Sequence, residues 1–249
     1  MRMLYLLPSL LLVTACSASA DDEAPLSGVK GDRAFAASGF DTVSLRGPDN
    51  VVVKVGGAES VSAAGDQAIL DRLEIEVVDG TLRVGRKKQA GIHWGGDKGS
   101  ATVTVTLPAL KGANIAGSGD MSVDKVNSPG FDGSIAGSGS LSIASLAASA
   151  VDFSIAGSGD AHIAAGKADS LDVSIAGSGN LDAPALAART ADISVAGSGG
   201  VKAAVSDAAD ISIIGSGDVE LFGNAKCSVS KVGSGNVRCT PAAPSTTKE

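Results

Sequence analysis

The stretch "SIAGSGD" at residues 154–160 decides the fold, because six near-copies of it occur elsewhere in the chain of 249 residues. Each copy contains a Gly-Ser-Gly triplet, and successive triplets are 20 residues apart except in the last two intervals, which are 18. A constant period near twenty residues is typical of a solenoid, in which each repeat forms one turn and stacks on its neighbours. The first glycines of the triplets are Gly117, Gly137, Gly157, Gly177, Gly197, Gly215 and Gly233.

Apolar residues alternate with polar ones on both sides of each triplet. In one repeat, Phe153 and Ile155 precede the triplet at alternate positions, and Ala161 and Ile163 follow it in the same way. Alternation with a period of two predicts short strands with one buried face. A further apolar residue, such as Leu146, stands nine positions after a corner glycine and supplies a third inward contact. Each repeat therefore predicts one rung with two short strands, a glycine corner and a looser return.

The corners explain why the phrase is repeated so closely. Equivalent residues of successive rungs lie about 4.8 Å apart in a sheet, so each corner must fit the corners above and below it. Glycine adopts positive φ where other residues are strained, which accounts for its presence at each corner. The serines of the triplets are expected to hydrogen-bond along their own column, which comprises Ser118, Ser138, Ser158, Ser178, Ser198, Ser216 and Ser234.

Alternating runs also precede the repeats. The runs "NVVVKV" at 50–55 and "ATVTVTL" at 101–107 predict strands, and Asp79-Gly80 predicts a tight hairpin turn between two more. Residues 66–73 predict one or two helical turns, and residues 86–100 predict a loop. The whole pattern predicts an all-β fold, a single-chain parallel β-helix with rungs of about 18–20 residues and an N-terminal block of antiparallel-type strands.

The start of the chain has the pattern of a secretion signal. Arg2 is followed by an apolar run and then by small residues, which predicts a signal peptide over residues 1–15 that is too short to span a bilayer. The cysteine that follows resembles the lipobox of bacterial lipoproteins, which implies that Cys16 carries a lipid. By the sorting pattern of such lipoproteins, Ser17 favours the outer membrane, with the chain facing the periplasm or the cell surface. The alternative is an ordinary cleaved signal that contains a cysteine.

Four segments follow from these patterns. The signal peptide precedes a flexible tether over residues 16–34, which is small, polar and contains proline. The β-helical domain is expected over residues 35–240, and a disordered tail over residues 241–249.

Composition excludes one class of partner. The formal net charge is −7, and nucleic-acid binding requires a basic surface for the phosphate backbone, so we expect no nucleic-acid partner. Aromatic residues make up only 3% of the chain and Trp94 is the single tryptophan, so an aromatic platform for sugars is not expected either.

An outward column of aspartates stands five positions before the corner glycines. Stacked like charges repel, by about 1 kcal/mol for neighbours in water, so something must offset the repulsion. The functional interpretation is a strip that binds calcium or a basic partner, because hard cations prefer carboxylate oxygens. The alternative is that each carboxylate accepts a backbone hydrogen bond where its strand begins. The column comprises Asp132, Asp152, Asp172, Asp192 and Asp210.

Two cysteines remain beyond Cys16. In the repeat frame, Cys227 takes the inward place of Val151 and Cys239 that of Ile163, both in the last rung. A disulfide between them would close the open end of the solenoid, and the alternative is two buried free thiols.

Catalytic machinery is not evident. The two histidines, His93 in the loop and His162 at an outward strand position, have no neighbours at the spacing of a catalytic triad or a metal pair. We therefore predict no catalytic residues, no enzymatic activity and no cofactor other than the calcium considered above.

The order of these features resembles a known bacterial family. Alternating strands, then "GTLRV" at 80–84 and "VTLPAL" at 105–110, then serial Gly-Ser-Gly rungs are similar to the head GIN domain of auto-transporter adhesins. The resemblance covers residues 35–240. It implies a β-helical domain with an adhesin-like role and no assigned biochemistry.

Two functions follow as hypotheses. The first is a non-enzymatic, lipid-anchored protein of the cell envelope that displays a rigid β-helix for adhesion or for contact with an envelope protein or polysaccharide. The second is a calcium-dependent β-helix that binds polysaccharide or resembles a polysaccharide lyase. Side-by-side association of copies through flat faces would make a homo-oligomer.

Overall fold

The computed structural model describes residues 26–87 and 99–240, and most of them lie in strands of one continuous sheet. The expected β-helix is confirmed. The N-terminal elements are β1 (Lys30–Phe35), β2 (Thr42–Gly47), β3 (Asn50–Val55), β4 (Ser60–Asp66), α1 (Gln67–Leu70), β5 (Leu73–Val78), β6 (Thr81–Arg86) and β7 (Thr102–Leu107). The repeats follow as β8 (Gly112–Gly117), β9 (Met121–Val123), β10 (Val126–Gly137), β11 (Leu141–Ile143), β12 (Leu146–Gly157), β13 (Ala161–Ile163), β14 (Gly166–Gly177), β15 (Asn180–Gly197), β16 (Gly200–Gly215), β17 (Asp218–Phe222), β18 (Lys226–Gly233) and β19 (Val237–Thr240).

Equivalent residues of successive rungs pair in parallel. Ile135 of β10 lies opposite Ile155 of β12, which in turn lies opposite Ile175 of β14. The inward side chains of these columns are fully buried, as are Phe153 and the return residue Leu146. The predicted inward positions therefore form the core, a stack of apolar side chains along the solenoid axis.

Each corner glycine is held by backbone geometry. The first glycine of every triplet has positive φ, +132° at Gly177, and the second approaches the rung before it too closely for a side chain. A Cβ on Gly179 would stand 2.2 Å from the carbonyl oxygen of Gly159. The backbone N–H groups of Ser178 and Gly179 both donate to the Gly157 carbonyl. No hydrogen bond joins the serine hydroxyls of this column in the described chain, so the expected serine ladder is replaced by backbone bonds.

The N-terminal block is mixed rather than purely antiparallel. Strands β2 and β3 lie parallel to β8 and β9, and β6 and β7 lie parallel to β2 and β3, so they form two further rungs. The antiparallel pairs are β1–β4, β4–β7 and β5–β6. The hairpin turn has positive φ at Asp79 and Gly80, and α1 provides the expected helical turn.

Strand β1 begins at Lys30, inside the segment expected to be tether. Its sequence, KGDRAF, lacks an apolar alternation, and it is held by antiparallel pairing along the edge of β4. The sheet therefore starts five residues earlier than the expected boundary of 35. The signal peptide, Cys16, the first part of the tether, most of the 86–100 loop with His93 and Trp94, and the tail lie outside the described residues.

The last rung closes the C-terminal end. Cys227 in β18 and Cys239 in β19 form a disulfide with the two sulfur atoms 2.06 Å apart. Lys231 takes the inward place of Ile213, and its ammonium donates to the Gly235 carbonyl at 2.6 Å. A charged group directed across an open end discourages edge-to-edge pairing with another sheet. Across residues 26–87 and 99–240, no helix is long and apolar enough to cross a membrane.

Candidate functional site: the outward columns

The strands before the corners carry one like-charged column. Asp152 lies opposite Asp132 on one side and Asp172 on the other, and the register continues through Asp192 to Asp210. All five side chains are exposed. The structure thus brings the five predicted residues into one continuous outward column, hereafter the acidic column.

No hydrogen bond or ion pair from the described residues compensates the charges of this column. Among the residues that the structure describes, none of the five carboxylates accepts a hydrogen bond or forms an ion pair, so the expected backbone contacts are not made. Partial burial raises the pKa of Asp152, and the charge of Asp132 raises it further. Burial, followed by the charges of Asp152 and Asp192, likewise raises the pKa of Asp172. Burial and neighbouring carboxylates therefore disfavour the charged state of Asp152 and Asp172.

The acidic column does not resemble a metal centre. Within the described ranges, no group of three or more His, Cys, Asp or Glu side chains is placed to hold a metal ion. Calcium takes six to eight oxygens at about 2.3–2.6 Å, whereas carboxylates on successive rungs project side by side about 4.8 Å apart. Calcium binding by the column stays a prediction.

A second column, just after the corners, is built on hydrogen bonds between rungs. Asp160 Oδ1 accepts from both the backbone N–H and the side-chain amide of Asn180, at 3.0 and 2.8 Å. Asp218 Oδ1 accepts from Asn236 in the same two ways, at 2.8 and 3.1 Å. These bonds fix the turns after the corners. The turn column comprises Asp120, Ser140, Asp160, Asn180, Gly200, Asp218 and Asn236.

A third column alternates between basic and acidic side chains. Two positions after the turn column, successive rungs place His162, Asp182, Lys202, Glu220 and Arg238 opposite one another. His162 Nδ1 lies 3.3 Å from Asp182 Oδ2, and an Arg238 guanidinium nitrogen lies 3.4 Å from Glu220 Oε1. Lys202, between the two pairs, makes no hydrogen bond or ion pair within the part of the chain described. This alternating column contrasts with the acidic column because its neighbours attract.

The turn column has one gap, at Gly200. Every other member carries a side chain, so the glycine leaves a notch one side chain wide. A groove of about 520 Å³ lies over this position. Its walls are formed by the polar groups of neighbouring side chains in the turn column and the alternating column. Asn180, Lys202, Asp218, Glu220, Asn236 and Arg238 are among the lining residues. We call this feature the Gly200 notch.

One buried ion pair lies in the N-terminal block, between the strands that precede the repeats. Asp49 is fully buried, and its carboxylate accepts from the guanidinium of Arg86 at 2.8 and 2.7 Å and from the backbone N–H of Ala101 at 2.8 Å. Arg86 ends β6 and Ala101 precedes β7, so one carboxylate holds both ends of the connection between them. Its role is therefore structural.

Sequence reasoning missed the alternating column and the notch. Both appear when the repeats are aligned on the corner glycine and the fifth and third positions after it are read down the rungs. In the sequence, the opposite charges of the alternating column stand one whole repeat apart, so nothing marks them as neighbours. Their pairing becomes meaningful only once the register is known.

Comparison with known proteins supports the fold. A family described as "Putative auto-transporter adhesin, head GIN domain" matches residues 39–225. A crystal structure of a "putative adhesin" from Bacteroides fragilis is 23% identical with a TM-score of 0.76, and the match covers 86% of this chain and 98% of that one. A "putative adhesin" from Parabacteroides distasonis is 20% identical with a TM-score of 0.67, covering 88% and 100%. A "putative lipid binding protein" from the same species is 25% identical with a TM-score of 0.64, covering 86% and 98%. No curated protein matches the chain.

Proposed function

The chain belongs to the family described as "Putative auto-transporter adhesin, head GIN domain", and on that basis we propose that it is a non-enzymatic adhesin of the cell envelope. Its solenoid would present the outward columns to a partner as a stiff, ordered surface. The lipid on Cys16 and the tether would hold this surface at the outer membrane.

The observation that carries the proposal is that each outward column continues in register from one rung to the next. Equivalent residues pair rung by rung from β8 to β19, with register shifts only around Ala183–Thr190, in the return segment of β15. A partner with a repeating structure can contact equivalent groups on several rungs at once. Many weak contacts then add to a useful avidity without any single deep site.

Adherence of cells tests the proposal directly. A strain that lacks the chain is compared with the same strain complemented by the native chain or by Cys16→Ser. We expect the deletion to lower adherence to a surface coated with envelope polysaccharide, and only the native chain to restore it. Unchanged adherence after deletion would refute the adhesin proposal.

Membrane attachment is tested separately. We expect mass spectrometry of the chain extracted from membranes to find a diacylglyceryl group on an N-terminal Cys16, and Cys16→Ser to move the chain to the soluble fraction. An unmodified chain starting at another residue would contradict the lipid anchor while leaving the adhesin proposal to the adherence assay.

A further inference from the structure

The Gly200 notch is an open groove that contains hydrogen-bonding groups without partners among the described residues. Asn180 directs its amide nitrogen towards Asp160, and its Oδ1 faces the empty position, 3.0 Å from where a Cβ on Gly200 would lie. Asp218 uses Oδ1 for Asn236, which leaves Oδ2 without a partner among the described residues. Acceptors thus stand on both sides of the gap along the column.

Donors complete the walls of the notch. Lys202 follows Gly200 by two residues on the same strand, β16, and its ammonium has three donors with no partner in the residues described. Arg238, on the outermost rung, uses its guanidinium for one contact with Glu220 at 3.4 Å. The notch therefore combines free acceptors and free donors within one groove.

The charge of the lining narrows the chemistry of the ligand. Asp182, Asp218 and Glu220 contribute three negative charges, and Lys202 and Arg238 contribute two positive charges. A polyanion would meet the carboxylates, and a metal cation would meet the two basic groups. An apolar ligand would leave the polar groups unsatisfied, which is unfavourable. Hydroxyl groups both donate and accept, so a neutral, polyhydroxylated ligand matches the whole lining.

We propose that the Gly200 notch binds a hydroxyl-bearing sugar unit of a neutral glycan. The proposal rests on the adhesin function and names the ligand class for one of its surfaces. The volume of about 520 Å³ falls in the range of about 300–1,000 Å³ that is typical of small-ligand sites. Because no aromatic ring lines the notch to stack on a sugar, we expect each single site to bind weakly. Several chains on one surface supply the avidity.

The test fills the notch. In Gly200→Asn, the new Cβ lies 3.0 Å from the flexible Asn180 Oδ1 and 3.4 Å from the Asp218 carbonyl oxygen, so the side chain enters with a small adjustment. Gly130→Asn is the matched control, because it places the same side chain on the solenoid with only one contact, at 4.0 Å. Lys202→Met removes the free donors and keeps the length of the side chain.

Binding is measured with the full chain carrying Cys16→Ser, immobilised densely and probed with dextran, mannan and galactan, with alginate as the anionic comparison. We expect binding of at least one neutral polymer, a loss of about tenfold or more in Gly200→Asn, a smaller loss in Lys202→Met, and native behaviour in Gly130→Asn. Thermal unfolding of each variant verifies that it is folded.

Three results would overturn the inference: no binding of any neutral polymer, binding of alginate alone, or binding that Gly200→Asn leaves unchanged. The adherence assay keeps this outcome separate from the adhesin function. If the Gly200→Asn strain adheres normally while the deletion strain does not, adhesion uses another face and the notch is not its site. If the deletion strain adheres normally, the adhesin proposal fails whatever the notch binds.

Discussion

Replacement of the second corner glycine by alanine tests the account of the corners most sharply. In Gly179→Ala, the methyl carbon would lie 2.2 Å from the Gly159 carbonyl oxygen and 2.7 Å from Ile155 Cγ2. Ordinary contact begins at 3.4 Å, so the two rungs must separate locally by about 1.2 Å. The carbonyl belongs to backbone that is itself buried in the stack, and it has no free direction in which to move.

The expected loss of stability has two parts. Overpacking of this kind destabilises a protein by about 1–3 kcal/mol. The separation also lengthens the two bonds that the N–H groups of Ser178 and Gly179 donate to Gly157, each of which contributes about 1 kcal/mol. We therefore expect Gly179→Ala to lower the free energy of unfolding by about 3–5 kcal/mol.

Urea unfolding followed by circular dichroism measures this quantity, with Gly130→Ala as the control. The control glycine has ordinary φ and open space around its Cβ position, so alanine there is expected to stabilise by about 0.4–1 kcal/mol through the unfolded chain. The reasoning would be refuted if Gly179→Ala unfolded within about 0.5 kcal/mol of the native chain, a difference typical of surface substitutions.

Three further predictions concern the ends, the acidic column and the buried pair. Replacing both Cys227 and Cys239 by serine should lower stability by about 3 kcal/mol, and a reductant should lower the Tm of the native chain but not of this variant; an unshifted Tm would contradict the closing role of the disulfide. Because the folded-state pKa values of Asp152 and Asp172 lie above the ordinary 3.8, the stability that their protonated forms contribute is full below 3.8 and is lost as pH rises through the raised values. The double replacement by asparagine should therefore raise the Tm at neutral pH, and the difference should shrink at about pH 3; a lower Tm at neutral pH would count against repulsion in the column. Asp49→Ala removes the carboxylate that Arg86 contacts and should lower the free energy of unfolding by about 3–5 kcal/mol in urea; a cost below about 1 kcal/mol would show that the pair is not important for stability.

The solenoid could be predicted from the sequence because the residues that repeat with its period, the corner glycines, are required for steric reasons. A corner such as Gly157-Ser158-Gly159 accepts almost nothing else, so the phrase marks each rung without ambiguity. Alternation around it then separates buried from exposed positions, as at Phe153 and Ile155.

The order of the first rungs could not be predicted in this way. Alternation in "NVVVKV" indicates a strand but not its partner, and β3 pairs with both β7 and β9 in parallel. Strand β2 pairs with β8 on one side and with β6 on the other, so β6 occupies the rung farther from the repeats although it comes later in the sequence than β2. Such crossings are set by long-range packing, which a pattern with a period of two does not encode.

The two candidate sites, the acidic column and the Gly200 notch, differ in the same way in how far the sequence could predict them. The acidic column could be predicted because aspartate recurs at the same position of successive repeats. The notch could not, because Lys202 and Gly200 differ from the equivalent residues of the other rungs. A repeat reveals what its copies share. A binding site formed by one exceptional rung is seen only when the copies are superposed and their differences are compared.

The equality of the rungs also determines how this architecture can change over generations. A coding segment duplicated or lost in frame between equivalent corners adds or removes one complete rung, and the flanking corners still match because they are interchangeable. The length of the solenoid can thus vary in unit steps while each existing rung keeps its own side chains. Point mutation at an outward position then alters one rung at a time, so the length of the solenoid and the chemistry of its surface can evolve independently.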